Sequence, residues 1–207
     1  MNTMVSGLQD ASTQAQQIFR NILGAMAEPG RLFQLDKLDG PAGLNSATWQ
    51  SCLALADLDT NIWIEPAVRT PQALDALRFH TGCRYTEQAE DADFAIASSN
   101  LSTPLSTFKQ GSDEYPDRSC TLIVQVSDLT RGQRLRLTGP GIQSERTITI
   151  ADISPDWVAQ LQFNRKAFPC GIDLILTSGE LLMALPRTTQ ITLINECASK
   201  ETTCTSQ

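Results

Sequence analysis

Only one histidine, four lysines and two tyrosines occur in the 207 residues. No apolar run approaches the roughly 18 residues needed to span a bilayer. The opening stretch MNTMVSGLQDASTQAQQ has neither a basic start nor an apolar core. A secretion signal is therefore not expected, and a cytoplasmic address follows by default. Six cysteines stand at 52, 83, 120, 170, 197 and 204. None has the spacing of about two to four residues that lets neighbouring thiolates grip zinc or an iron–sulfur cluster. They read as small buried hydrophobes, with Cys197 and Cys204 as the exposed thiols. Acidic residues outnumber basic ones by 23 to 16, and a net charge of −7 opposes nucleic acid or an anionic membrane as partner.

What is present suits one folded core. Hydrophobic residues make up 41% and charged residues 19%, the balance of an ordered domain rather than a disordered chain. The expected organisation is a single α/β domain over 1–195 and a polar, disordered tail over 196–207. Thr13 to Met26 carries Ala15, Ile18, Phe19, Ile22, Leu23 and Met26 at helical spacing, and Glu28-Pro29-Gly30 stops it. RLFQL at 31–35 is a short strand candidate. A second helix starts at Asn45 or Ser46, and NIWIE at 61–65 is a strand. Thr70-Pro71, Thr103-Pro104 and Ser154-Pro155 each offer a capping hydroxyl followed by proline, predicting three further helices. DFAIA at 93–97 and CTLIVQV at 120–126 suit strands covered on both faces. RLRLT at 134–138 alternates, so it should have one wet face or lie at an edge; RTITI at 146–150 is another strand.

Candidate chemistry is sparse. TGPGIQSE at 138–145 has two glycines one residue apart, but Pro140 lies between them and the alternating RTITI follows. A turn between strands fits better than a phosphate loop, which needs a helix after it. Arg78, His80 and Arg84 form a small basic cluster near the end of the third helix. It could hold a phosphonate or phosphate oxygen; alternatively, its cations complement the helix dipole while the imidazole bonds a carbonyl. The second reading takes precedence, because no carboxylate or nucleophile adjoins His80. Arg187 with Thr188 and Thr189 could line an anion site or anchor the sheet, and Glu28 is equally ambiguous. Asp113 to Asp117 lacks the ligand spacing and glycine of a calcium loop and reads as a solvated turn. No metal site is expected.

Residues 163 to 189, FNRKAFPCGIDLILTSGELLMALPRTT, contain the clearest pattern. Asp173–Thr177 and Glu180–Leu185 are apolar runs, Ser178-Gly179 suits a tight turn, and Pro186 ends the second run. Apolar residues fall on both faces of this hairpin, so both must be covered, by the chain's own helices or by another protein. Together with FRNILGAMAEPGRL at 19–32, LRFHTGC at 77–83 and LRLTGPGI at 135–142, the stretch resembles the H subunits of the bacterial carbon–phosphorus lyase complex. The four blocks occur in the same order along nearly the whole chain.

That resemblance implies a three-layer α/β/α sandwich with a mixed sheet, similar to the pyridoxal-phosphate transferase fold without the cofactor. It implies an accessory subunit of the assembly that transfers ribose triphosphate from ATP to an alkylphosphonate, displacing adenine, ahead of a radical cleavage of the carbon–phosphorus bond. The chemistry would reside in sister subunits. The implied partners are those sister subunits and a second copy of the chain as a homodimer. No catalytic residue and no cofactor is expected: Lys37, Lys109 and Lys166 lack the apolar setting of a Schiff-base lysine, and Lys200 lies in the tail. Two alternatives remain, an enzyme with a cryptic anion site near Arg78, His80 and Arg187, and a ligand-sensing homodimer.

Overall fold

A computed structural model describes residues 5–194. The expected tail at 196–207, with Cys197 and Cys204, lies outside the described residues. Helix α1 spans Ala11–Ala27, α2 Ser46–Leu55, α3 Pro71–Thr81 and α4 Pro155–Lys166. The strands are β1 Phe33–Gln34, β2 Asn61–Ile64, β3 Arg84–Tyr85, β4 Phe94–Ser98 and β5 Thr121–Gln125. They continue with β6 Gln133–Thr138, β7 Arg146–Ile150, β8 Asp173–Ser178, β9 Leu181–Leu185 and β10 Gln190–Leu193.

Seven strands form a mixed sheet in the order β1-β9-β8-β5-β4-β2-β3. Strands β8, β5, β4, β2 and β3 run parallel, whereas β9 and β1 are antiparallel additions. The period of two sorts the apolar runs onto both faces. Ile62, Ile64, Ile96, Ile123, Ile175 and Leu182 meet α1, α2 and α3, with Trp49 buried among them. Trp63, Ala95, Leu122, Val124, Leu174, Leu176 and Met183 face the other way. That second face is not covered by helices alone. A three-stranded antiparallel sheet in the order β10-β6-β7 lies there with α4, so the expected α/β/α layering becomes helices, sheet, then a mixed layer.

The hairpin is internal. Its β8 and β9 lie between β5 and β1, and Leu174, Ile175, Leu176, Leu182, Met183 and Leu185 are at most 1% exposed. The chain's own layers supply the cover that the sequence demanded, so the hairpin's apolar content does not require a partner. Its turn falls one residue later than expected, since Ser178 pairs with Leu181 and Gly179 takes φ 57°. RLRLT does have a wet face, but as β6 it is the central strand of the small sheet and not an edge.

The caps explain which predicted helices form. Thr70 and Ser154 accept hydrogen bonds from the amides of Ala73 and Trp157, with Pro71 and Pro155 opening α3 and α4. At Thr103-Pro104 the expected helix fails: only a 3₁₀ turn, Leu105–Thr107, forms. The Gln110 amide donates to the carbonyls of Leu105 and Phe108, and Lys109 pairs with Asp93 at 2.7 Å. Those links hold the chain in a course that a continuing helix could not follow. In α1, Ile18, Ile22 and Ala25 are buried, whereas Phe19 and Leu23 are 47% and 57% exposed, so the apolar stripe is wider than the face the core uses.

Candidate functional site

Arg187 leaves β9 and turns back into the protein. Its Nε donates to Asp173 Oδ1 at 3.2 Å, and Nη1 donates to the carbonyls of Pro116 and Pro169 at 2.8 and 3.3 Å. Nη2 donates to Asp173 Oδ2 at 2.6 Å and to Ser119 Oγ. All five guanidinium protons thus have protein acceptors, and the side chain is 11% exposed. Asp173 Oδ1 also accepts the Arg187 amide at 2.8 Å. The arrangement is a clasp joining the start of β8, the end of β9 and the loops at 116–119 and 169. An anion here would have to displace one of those acceptors. Thr189 is buried, and its Oγ1 has no hydrogen-bond partner among the described residues.

His80 and Arg78 sit elsewhere, in the last turn of α3. Among the described residues no hydrogen bond or ion pair joins Arg187 to either. Arg78 is exposed beside the negative end of the helix dipole, where a cation is stabilising. His80 Nε2 lies 2.9 Å from the carbonyl oxygen of Val5, so that nitrogen carries the proton. Its ring meets Trp49 and Phe79 edge-on, with centroids 5.5 and 5.0 Å away. Trp49 Nε1 donates to the carbonyl of Ser6 at 3.1 Å. A Cβ on Gly7 would lie 2.5 Å from His80 Nδ1. The single histidine therefore fastens an N-terminal strap, residues 5–9, across the ends of α2 and α3. This is the carbonyl-bonding role weighed for it in the sequence.

Beyond that strap lies an open cleft of about 280 Å³. Its lining includes Gln9 of the strap, Gln17 and Asn21 of α1, Gln34 of β1 and Gln50 of α2. The loop at 36–38 adds Asp36 and Lys37 and is pinned to α2. Leu38 N–H donates to Ser46 Oγ at 3.1 Å, and Gln50 Nε2 donates to the Asp36 carbonyl at 2.7 Å. None of these amides drew attention in the sequence, because glutamine has no periodic or motif signature and its role depends on five segments meeting.

The end of the parallel strands, where open α/β sheets commonly bind ligands, is filled by the chain itself. Asn45 caps α2, accepting from Thr48 N–H at 2.9 Å, while its own amide nitrogen donates to Thr177 Oγ1 at 3.1 Å. Gln125 Oε1 accepts from Asn45 N–H at 2.6 Å, and buried Glu65 accepts from the amide and hydroxyl of Ser98 at 2.7 and 2.8 Å. A second, mostly apolar cleft of about 390 Å³ lies between α4 and residues 104–110, with Phe163 on its lining and 66% exposed.

The remaining candidates have local explanations. The TGPGIQSE segment is the turn from β6 to β7. Gly141 there has φ 80°, and a Cβ on it would meet the Ala27 carbonyl at 2.2 Å, so the turn packs against the end of α1. Glu28 pairs with Arg31 at 2.6 Å on the surface. In the acidic loop, Tyr115 N–H donates to Ser112 Oγ at 3.0 Å and Arg118 stacks over the Tyr115 ring at 4.2 Å. Among the described residues no group of three or more His, Cys, Asp or Glu could hold a metal ion. Burial pushes the Cys120 thiol up to about 12 and raises Cys52 and Cys83 as well, so these thiols stay protonated at neutral pH. No helix among the described residues is long and apolar enough to cross a membrane.

Comparison with known proteins covers almost the whole of this fold. The family described as "Bacterial phosphonate metabolism protein (PhnH)" matches residues 6–192. The chain is 38% identical over 188 residues to the "Alpha-D-ribose 1-methylphosphonate 5-triphosphate synthase subunit PhnH" of Rhizobium meliloti (strain 1021), covering 88% of this chain and 92% of that one. It is also 38% identical over 181 residues to the "Putative C-P lyase subunit protein HtxG" of Stutzerimonas stutzeri, covering 86% of each. From the strap to the last strand, then, this chain belongs to the PhnH family of bacterial phosphonate metabolism proteins.

Proposed function

We propose that the protein is an accessory subunit of a carbon–phosphorus lyase assembly, needed for the transfer of ribose triphosphate from ATP to an alkylphosphonate but not itself the site of that chemistry. The observation that carries this reading is the near-complete match to two relatives, each named as a subunit, at 38% identity. The side chains favour it too. Arg187 is fully occupied, His80 serves the strap, and Lys109 is paired with Asp93. The fold is taken as one domain related to the pyridoxal-phosphate transferases with the cofactor chemistry lost. The protein works in the cytoplasm with sister subunits and with a second copy of itself. Because β8 and β9 are already covered on both faces, the homodimer contact lies outside the hairpin.

The test is reconstitution. The purified chain, mixed with ATP and methylphosphonate, should release no adenine and show no pyridoxal absorption band. Addition of the sister subunits should start the reaction, and omission of this chain should lower it. Adenine release by this chain alone, or full activity of the sister subunits without it, would overturn the assignment.

A further inference from the structure

The cleft between the strap and α1 has spare hydrogen-bonding capacity that the protein does not use. Gln50 is the clearest case: it is 3% exposed. Its Nε2 is committed to the Asp36 carbonyl at 2.7 Å and Ser46 Oγ at 3.0 Å, with the Ser46 carbonyl at 3.4 Å. Two of those partners are carbonyls, which can only accept, so the nitrogen must point toward them and the amide cannot be flipped. Gln50 Oε1 accepts no hydrogen bond from any described residue, on a side chain that lines the cleft. Thr189 Oγ1, not Gln50 Oε1, is the sealed polar atom without a partner among the described residues, so Gln50 Oε1 keeps contact with solvent, where water or a ligand hydroxyl can complete it.

The rest of the lining narrows the chemistry of that ligand. Gln9, Gln14, Gln17, Asn21 and Gln34 are carboxamides, each a donor and an acceptor at once, and of these Gln14 already spends its Oε1 on the Asp10 N–H at 3.1 Å. Lys37 and Asp36 are the charged groups on the wall and cancel, which disfavours phosphate or any polyanion. No aromatic ring lines the cleft, so a flat base would lack a stacking platform. Leu8 and Leu38 supply small apolar patches. Amides converging from α1, α2, β1 and the strap match hydroxyls that radiate from a compact body, each of which also donates and accepts. At about 280 Å³ the space falls just below the roughly 300–1,000 Å³ of drug-sized sites.

We propose that this cleft binds a small uncharged polyol of monosaccharide size, with Gln50 Oε1 accepting from one of its hydroxyls. The inference rests on the cleft alone, not on membership of an assembly, and it is tested on the isolated full-length chain. Titration with D-ribose and, separately, with D-glucose should give saturable backbone amide shifts confined to the strap, α1, residues 34–38 and Gln50. Gln50→Met should weaken binding about tenfold or more, the scale of one lost hydrogen bond. Since that change also frees the Asp36 carbonyl, Asn21→Leu on half-exposed α1 serves as a second variant. It should weaken sugar binding while leaving the melting temperature unchanged. Adenine and inorganic phosphate should leave the cleft resonances unmoved. Absence of cleft shifts with both sugars at millimolar concentration, or a stronger response to adenine or phosphate, would overturn the proposal.

Discussion

Arg187 and Gln50 make opposite uses of hydrogen-bonding groups. The arginine is the residue type that most readily suggests an anion site, yet each of its five protons is already held by the protein. The glutamine attracts no notice in the sequence, yet it keeps an unused acceptor at the wall of a cleft. What distinguishes a site from a strut is therefore the capacity left over after folding, not the kind of side chain. The comparison sets an order of consequences, because removing a saturated buried group harms the fold, whereas removing only the unused capacity of the cleft, as Asn21→Leu does, spares it.

The largest effect should come from Arg187→Ala. It strands the Asp173 carboxylate, 25% exposed on its side chain, together with two loop carbonyls. Loss of one partner of a largely buried pair costs about 3–5 kcal/mol, which should appear as a lower urea midpoint. Lysine should not rescue it, having one nitrogen where three are used. An unchanged midpoint would mean that the clasp is not structural.

Gly7→Val should come next. Its Cβ would meet His80 Nδ1 at 2.5 Å and Cε1 at 2.6 Å, on a ring held by Val5 and Trp49. The strap has to lift, at about 1–3 kcal/mol, typical of overpacking. Hydrogen exchange should accelerate at residues 5–9. His80→Ala removes the bond to the Val5 carbonyl and should cost about 1 kcal/mol, with faster exchange confined to the same strap. Smallest of all, Arg78→Ala on the exposed end of α3 should change stability by no more than about 0.5 kcal/mol. If Arg78→Ala instead matched Arg187→Ala in thermal shift, the contrast between strut and surface charge would collapse.

Much of the fold was legible because it rests on local chemistry. Proline after a capping hydroxyl opened α3 and α4, alternation marked β6 and β7, and the uniformly apolar runs became interior parallel strands. The failures came where tertiary contacts overrode local signals. Thr103-Pro104 carries the same dipeptide as α3, but Gln110 takes the carbonyls that a helix would need. Strand β10 was missed, although Ile191 pairs with Leu137 of β6, because four residues after a proline turn give little period to read. The interior hairpin followed from letters alone, but not that the chain's own small sheet would help to cover it. For the site, the carbonyl-bonding role of His80 was among the readings the sequence left open. The saturation of Arg187 and the convergence of amides on one cleft depend on distant segments meeting, which no spacing encodes.

Affinity capture of the tagged full-length chain from phosphate-starved cells, with the co-eluting chains identified and counted, tests the central claim most directly. The account predicts that the other carbon–phosphorus lyase subunits elute with it in fixed ratio, and that this recovery survives Arg78→Ala. Elution of the chain by itself, or only with a second copy, from cells in which those subunits are abundant would contradict an accessory role in the assembly.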